Sequence, residues 1–241
     1  MRRDIESQLL FSESQLGLTS PSVRAGFVRK VYGILAAQLV LTIAVAAPFV
    51  LMDQSKVQSF IFNNMWLFWM SMVTSMVVLV LFACIPTMMT QVPLNYILLG
   101  LFTVCEGVTV GMFSSMYTTA SIVSTLGFVA VAVIALSVFA ANTKVDVTRS
   151  MWPYLLAVTV IMMGAGLVLM LFPSKVGMTM YAAVGAILFS AYVVFDTQMI
   201  LGGKSGIQFG IDDYVAAAIA LYVDIISLFI YLLQLLGERR D

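Results

Sequence analysis

The sequence contains no histidine. That absence excludes histidine-dependent catalysis, haem ligation by histidine and nearly all zinc sites. Charge is scarce too, because charged residues make up 10% of the chain, against roughly 25% in an average soluble domain. Basic and acidic residues are equal in number, so the charge balance does not favour a nucleic-acid partner. We expect no enzymatic activity, no resident metal or cofactor, and no nucleic-acid binding.

Cysteine is rare as well, with only Cys84 and Cys105 in the chain. Cys84 ends one apolar run and Cys105 lies in the middle of the next, so their depths should differ by more than a disulfide can span. We expect both to be small, unpaired residues of the core.

Apolar residues dominate what remains: 61% of the chain is hydrophobic and the mean hydropathy is +1.04. In lipid, apolar runs of about 20 residues without period-2 polarity form helices. The sequence therefore predicts an all-α, polytopic membrane protein with a cytoplasmic polar tail over residues 1–26 and a seven-transmembrane-helix bundle over residues 27–241. The first span follows Lys30 and extends to about residue 52; the others cover about 58–84, 94–116, 120–141, 151–172, 177–201 and 213–236.

The orientation follows from the positive charges at the ends of the spans. One side of a seven-span chain receives eight basic residues, and we predict it to be cytoplasmic, with the N-terminus: Arg2, Arg3, Arg24, Arg29, Lys30, Lys144, Arg149 and Lys204. The other side receives four: Lys56, Lys175, Arg239 and Arg240. A re-entrant last segment would instead bring the basic C-terminus to the cytoplasmic side, and both arrangements remain open at this stage.

Two acidic residues lie inside the last two apolar runs, Asp196 in the sixth and Asp224 in the seventh. A carboxylate at bilayer depth is costly unless it is neutral, paired or facing water. Helical spacing puts each on a stripe of small and polar residues that permits close helix contact. The stripe of Asp224 comprises Asp213, Ala217, Ala220, Ser227 and Tyr231, and that of Asp196 comprises Ala182, Gly185, Phe189 and Tyr192.

The depths of the two aspartates differ along their helices. At 1.5 Å per residue, Asp196 lies roughly 9 Å from Gly202 and Asp224 roughly 16 Å from Asp213, a stagger of about 7 Å. If the connection absorbs that stagger, the carboxyl groups meet, share a proton and titrate as one pH-sensing unit. The alternative is that each aspartate separately hydrogen-bonds to a neighbouring helix for packing.

Two further acids are candidates for an ion pathway. Glu106 lies at depth in the third span, with Thr103 and Thr109 on its face, and either lines the same cavity as the aspartates or makes a helix contact. Asp212 and Asp213 are predicted to cap the last helix. Asp213, on the stripe of Asp224, is also a candidate for the pathway.

Five segments together resemble the Lifeguard branch of the Bax-inhibitor (transmembrane BAX inhibitor motif) family, over about residues 21–240. They are PSVRAGFVRKVYGILAAQLVLTIAVA, LFTVCEGVTVGMFSS, NTKVDVT, FDTQMILGG and DDYVAAAIALYVDIISLFIYLLQLLG. The resemblance implies a seven-helix protein that lets Ca²⁺ leak down its gradient. It also implies a pH-sensitive latch made of the aspartate in FDTQ, Asp196, and the one in LYVDII, Asp224.

The resemblance further implies a Golgi, endoplasmic reticulum or vacuolar membrane in a eukaryote, or the inner membrane of a bacterium. In eukaryotes it implies restraint of stress-induced cell death, with cell-death or calcium-release membrane proteins as candidate partners beside the lipid bilayer. One feature departs from the pattern. Bacterial relatives have an arginine on the second helix that engages the first aspartate, and this chain has no Arg or Lys between Val57 and Pro93.

We therefore predict a pH-sensitive calcium-leak channel gated by Asp196 and Asp224, since carboxylates are suitable ligands for Ca²⁺, the transported ion. A non-conducting scaffold that acts through partner proteins is the alternative. An intramembrane aspartyl protease is a remote one, because Ala220 to Val223 precede Asp224 where such enzymes carry Gly-x-Gly, and no Pro-Ala-Leu element is present. A retinal protein is excluded because the last span has no lysine.

Overall fold

The computed structural model describes residues 21–85, 87–202 and 207–240, and within these ranges it is a bundle of nine helices. Seven of them are long and apolar enough to cross a membrane, which confirms the predicted all-α class and the number of spans. The helices are α1 (Pro21–Leu51), α2 (Gln54–Asn63), α3 (Met65–Cys84), α4 (Thr87–Thr90), α5 (Leu94–Ser114), α6 (Thr119–Asn142), α7 (Val147–Leu171), α8 (Lys175–Leu201) and α9 (Tyr214–Leu236).

Two boundaries differ from the sequence prediction. Helix α1 already includes residues 21–26, which the sequence analysis assigned to the tail. The predicted tail before Pro21 lies outside the described residues. The predicted second span is divided at Asn64, whose side-chain amide donates to the carbonyl of Phe60 at 2.8 Å, so that α2 is separate from the 20-residue α3.

Helix α9 lies at the centre of the bundle. It contacts α1, α5, α6 and α8, and Leu236 is its only exposed residue. The stripe that carries Asp224 faces protein as predicted. Its aliphatic side is largely buried too, because α9 contacts helices on several sides.

Glycines allow α5 to approach α1 closely. A Cβ on Gly107 would lie 2.8 Å from Cβ of Val45, and one on Gly111 would lie 2.7 Å from the ring of Phe49. These distances leave no room for a side chain, so the small-xxx-small spacing marks a helix contact, as in other membrane bundles.

The C-terminal segment decides between the two topologies that the sequence left open. Backbone N–H of Thr118 donates to Glu238 and that of Arg240 to Met116, both at 2.9 Å, and the Arg240 side chain donates to the carbonyl of Val50. Val50 lies in the last turn of α1 and Arg24 in its first described turn, and a 31-residue helix is roughly 45 Å long. Arg240 thus lies at the face of the bundle opposite Arg24, as seven spans require. We call the two faces of the bundle the Arg24 end and the Arg240 end.

The cysteines are both free, as predicted. The expectation that both belong to the core is wrong for Cys84, which is exposed, whereas Cys105 is half-buried. Cys84 is the last residue of α3, a helix whose main contact is with α5.

Candidate functional site

Asp196 of α8 and Asp224 of α9 come together in the interior of the bundle. Each is buried, with 7% and 5% of its surface exposed, and the two carboxyl groups lie close enough to interact electrostatically. The stagger of about 7 Å estimated from helix rise is therefore absorbed in the connection between the two helices. The two aspartates singled out in the sequence therefore lie together, and their joint titration stays a prediction.

A direct hydrogen bond between two carboxyl groups would require a shared proton. An ionised carboxylate only accepts hydrogen bonds, so two carboxyl groups can bond to each other only when one of them is protonated. The buried Oδ2 of Asp224 has no hydrogen-bond partner among the described residues. The buried hydroxyl of Thr197 is likewise without one. The pair therefore keeps acceptor capacity that water or a cation can fill.

Close packing of α8 on α9 holds the aspartates in register. A Cβ on Gly185 would lie 2.6 Å from the ring of Tyr231, so glycine is required at this crossing. The ring of Tyr231 stacks on Phe189, with centroids 5.6 Å apart, and its hydroxyl donates to that of Tyr181 at 3.4 Å. The stripes of Asp196 and Asp224 thus face each other along their length.

Arg24 of α1 binds the connection between α8 and α9. Its guanidinium donates to the carbonyl of Phe209 at 2.7 Å and to that of Met199, in the last turn of α8. A cation there complements the helix C-terminus. Gly202, with φ of +67°, ends the helix directly under this side chain, and a Cβ would lie 2.8 Å from Nε of Arg24. Only glycine combines that backbone angle with that approach.

Lys30, also on α1, holds the start of α9. Its ammonium lies 3.1 Å from the centroid of the Tyr214 ring, an attractive cation–π contact. The Tyr214 hydroxyl also accepts from the side chain of Asn95 at 3.5 Å. One helix thus secures both ends of the connection that brings the aspartates together. Sequence reasoning used Arg24 and Lys30 only as topology charges, although both lie in the segment that carries the family resemblance.

Gln198, two residues after Asp196, organises the loop between α6 and α7. Its Oε1 accepts from the backbone N–H of Val147 at 2.9 Å, and its Nε2 donates to the carbonyl of Val145 at 3.0 Å. The FDTQ and NTKVDVT segments therefore contact each other. Sequence reasoning quoted both segments without connecting them, because nothing in either pattern indicates a long-range pairing.

Glu106 lies apart from the aspartate pair, on the α3 side of α5. Its half-buried carboxyl group lies near the hydroxyl of Ser75, which is buried and has no hydrogen-bond partner among the described residues. Across the ranges that the structure describes, no three acidic or thiol side chains form a group able to hold a metal, so Glu106 does not join the aspartates in a cluster.

A chain of buried polar groups links α1, α5 and α9 near Glu106. The hydroxyls of Thr42 and Tyr222 are 2.7 Å apart, and Nε2 of Gln38 donates to Oγ1 of Thr103 at 3.1 Å. Thr42 also donates to the carbonyl of Gln38 at 2.8 Å. Tyr222 precedes Asp224 by two residues, so the chain reaches the central helix. Sequence reasoning noted only Thr103, because single polar residues in apolar runs form no pattern.

Asp213 takes the N-cap position of α9, but the predicted cap hydrogen bond is wrong. Its carboxylate accepts from the backbone N–H of Gly210 at 3.1 Å and from no helix amide. The backbone at Asp213 has φ −85° and ψ 29° rather than the extended conformation of a usual N-cap, which turns the side chain towards the loop.

Comparison with known proteins identifies the family. The model of the family described as "Inhibitor of apoptosis-promoting Bax1" matches residues 24–241. This chain belongs to the Bax inhibitor family. It is 34% identical over 220 residues to Protein lifeguard 3 of Homo sapiens, covering 90% of this chain and 70% of that protein. It is 32% identical over 221 residues to Protein LIFEGUARD 2 of Arabidopsis thaliana, covering 90% and 89%.

The match confirms the resemblance to the Lifeguard branch of the Bax inhibitor family. The matched range begins at Arg24 and contains Gln198, Asp196 and Asp224, so the whole site lies within the family region. Membership of this family indicates regulation of cell death at a membrane.

Proposed function

We propose that this Bax inhibitor family member is a pH-sensitive calcium-leak channel of an intracellular membrane. It lowers stored calcium and thereby restrains stress-induced cell death, with Asp196 and Asp224 as the gate. The observation that carries the proposal is the pair of adjacent carboxyl groups, buried where the central helix meets α8. The protein is not an enzyme in this proposal, and Ca²⁺ is its cargo rather than a resident cofactor.

Gating follows from the charge of the pair. With a shared proton, the carboxyl groups hold α8 against α9 and the path is closed. Loss of that proton leaves two like charges in contact, which repel each other and attract a divalent cation. Flux therefore rises as pH rises through the titration of the pair. A single proton limits the change to about tenfold per pH unit.

The other two acids extend the path in this proposal. Asp213 is half-buried at the Arg24 end, and Glu106 is half-buried inside the bundle. Both offer carboxylate oxygens of the kind that Ca²⁺ prefers. The Arg24 end faces the cytoplasm, and the membrane is that of the Golgi, the endoplasmic reticulum or a vacuole.

Calcium flux in proteoliposomes of the purified protein tests the proposal, measured from about pH 5 to about pH 8, the range in which a buried carboxyl pair titrates. Wild-type flux is expected to rise with pH. Asp196→Asn and Asp224→Asn should lose this dependence, because an amide pairs with a carboxylate without a proton. Asp212→Asn, the same change at an exposed neighbour, should keep the wild-type profile. An unchanged profile in both pair variants would overturn the gate.

A non-conducting scaffold is the second candidate, acting through cell-death or calcium-release membrane proteins. The observation that favours it is the lack of an open path at the aspartate pair. Neither of two well-formed cavities among the described residues is lined by Asp196 or Asp224. Absence of flux at every pH, from protein that remains folded, would support the scaffold and reject the channel.

A further inference from the structure

An apolar groove runs along the side of α9 that faces away from α8. Helices α1 and α6 form its walls, α9 and the end of α5 its floor, and its volume is about 570 Å³. The floor residues Ile225, Phe229 and Val110 are buried, whereas Ile43 and Val123 on the rims are exposed. In a membrane-spanning bundle, those exposed rims face lipid, so the groove opens to the bilayer.

The length and composition of the groove suit one hydrocarbon chain. Along α1 it extends from Leu39 to Leu51, about 18 Å at 1.5 Å per residue, close to the roughly 15 Å of one bilayer leaflet. Water is disfavoured because almost the whole lining is apolar.

Polar groups stand at the Arg240 end of the groove, where a lipid headgroup would lie. The hydroxyl of Ser114 lines the groove, and Ser114 is 2% exposed with no hydrogen-bond partner for that hydroxyl. The guanidinium of Arg240 donates to the carbonyl of Val50, a residue of the same lining, at 3.3 Å. That contact uses one of five guanidinium donors. The neighbouring acid Asp53 is bound by Lys56 at 2.8 Å.

We propose that this groove binds one anionic phospholipid from the leaflet at the Arg240 end. One acyl chain fills the space between α1, α6 and α9. The Ser114 hydroxyl donates to an ester carbonyl of the lipid, and Arg240 binds the phosphate, as guanidinium groups do. This inference concerns a site on the opposite side of α9 from Asp224 and does not depend on calcium conduction.

Native mass spectrometry of the full chain tests the site, after detergent purification and addition of dioleoyl phosphatidylglycerol or dioleoyl phosphatidylcholine. We expect one retained lipid per chain, with phosphatidylglycerol preferred about tenfold, the scale of one charged hydrogen bond. Arg240→Gln should remove the preference for phosphatidylglycerol, and Ser114→Ala should weaken retention of both lipids. Lys175→Gln, which removes an exposed charge at the same end of the bundle, should change neither.

Filling the groove with a larger side chain provides an independent test of the lipid site. Ala130→Phe places a ring in the groove from an exposed position on α6 and should abolish lipid retention. Ala135→Phe, at an exposed position of the same helix outside the lining, should retain lipid as wild type does. Equal retention in the two phenylalanine variants, or no retained lipid in wild type, would overturn the proposal. A lipid-free dimer that Ala130→Phe disrupts would do the same and assign the groove to a second copy.

Discussion

On one side of α9, Asp224 and Tyr231 pack against α8 so closely that Gly185 has no room for a Cβ; on the other side, Ile225 and Phe229 border a cavity of about 570 Å³. The first side joins two carboxyl groups within one chain and contains buried polar atoms. The second is almost wholly apolar and open to lipid. Polar pairing at bilayer depth thus coincides with the tightest packing, where neither water nor lipid has to enter.

This contrast predicts that the two sides differ in their tolerance of added volume. Gly185→Leu should destabilise the protein by about 1–3 kcal/mol or more, because the new side chain meets the ring of Tyr231 in a filled interface. The thermal midpoint in detergent measures the effect.

Gly127→Leu on α6 is the matched control, since nothing lies within 4 Å of a Cβ at that position. Its thermal midpoint should stay close to that of wild type. Equal losses in the two variants would mean that the α8–α9 interface is no more tightly packed than the lipid-facing surface.

The next largest effect is expected at Arg24 of α1, which binds the connection between α8 and α9. Arg24→Met should cost about 2 kcal/mol, because two backbone carbonyls of the α8–α9 connection lose a charged donor. Limited proteolysis of the connection, residues 202–213, should become faster as its anchor is lost. Arg29→Met removes an exposed charge from the same helix and should leave the cleavage rate unchanged. Equal cleavage of Arg24→Met and wild type would contradict the anchoring role.

Much of the aspartate side could be predicted from sequence, because acidic residues inside apolar spans are rare. Asp196 and Asp224 are costly at bilayer depth, and their small-residue stripes indicate a helix contact. The anchoring by Arg24 and Gln198 could not be predicted, since it pairs residues more than 50 positions apart through backbone carbonyls or amides that any sequence supplies. The groove could not be predicted either, because the sequence does not distinguish an apolar residue that faces a gap from one that packs against a helix.

The smallest expected effect lies between the two sides, where Thr42 of α1 meets Tyr222 of α9. Their hydroxyls are 2.7 Å apart and buried, so Thr42→Val and Tyr222→Phe should show a coupling free energy of about 1 kcal/mol in a double-mutant cycle. The reference cycle pairs Thr42→Val with Thr159→Val on α7, whose hydroxyl bonds to Tyr192 instead, and should show no coupling. Zero coupling in the first cycle would mean that the polar chain does not bind α1 to the central helix. Coupling in the first cycle would show that α1 is energetically linked to α9, the helix in which Tyr222 lies two residues before Asp224.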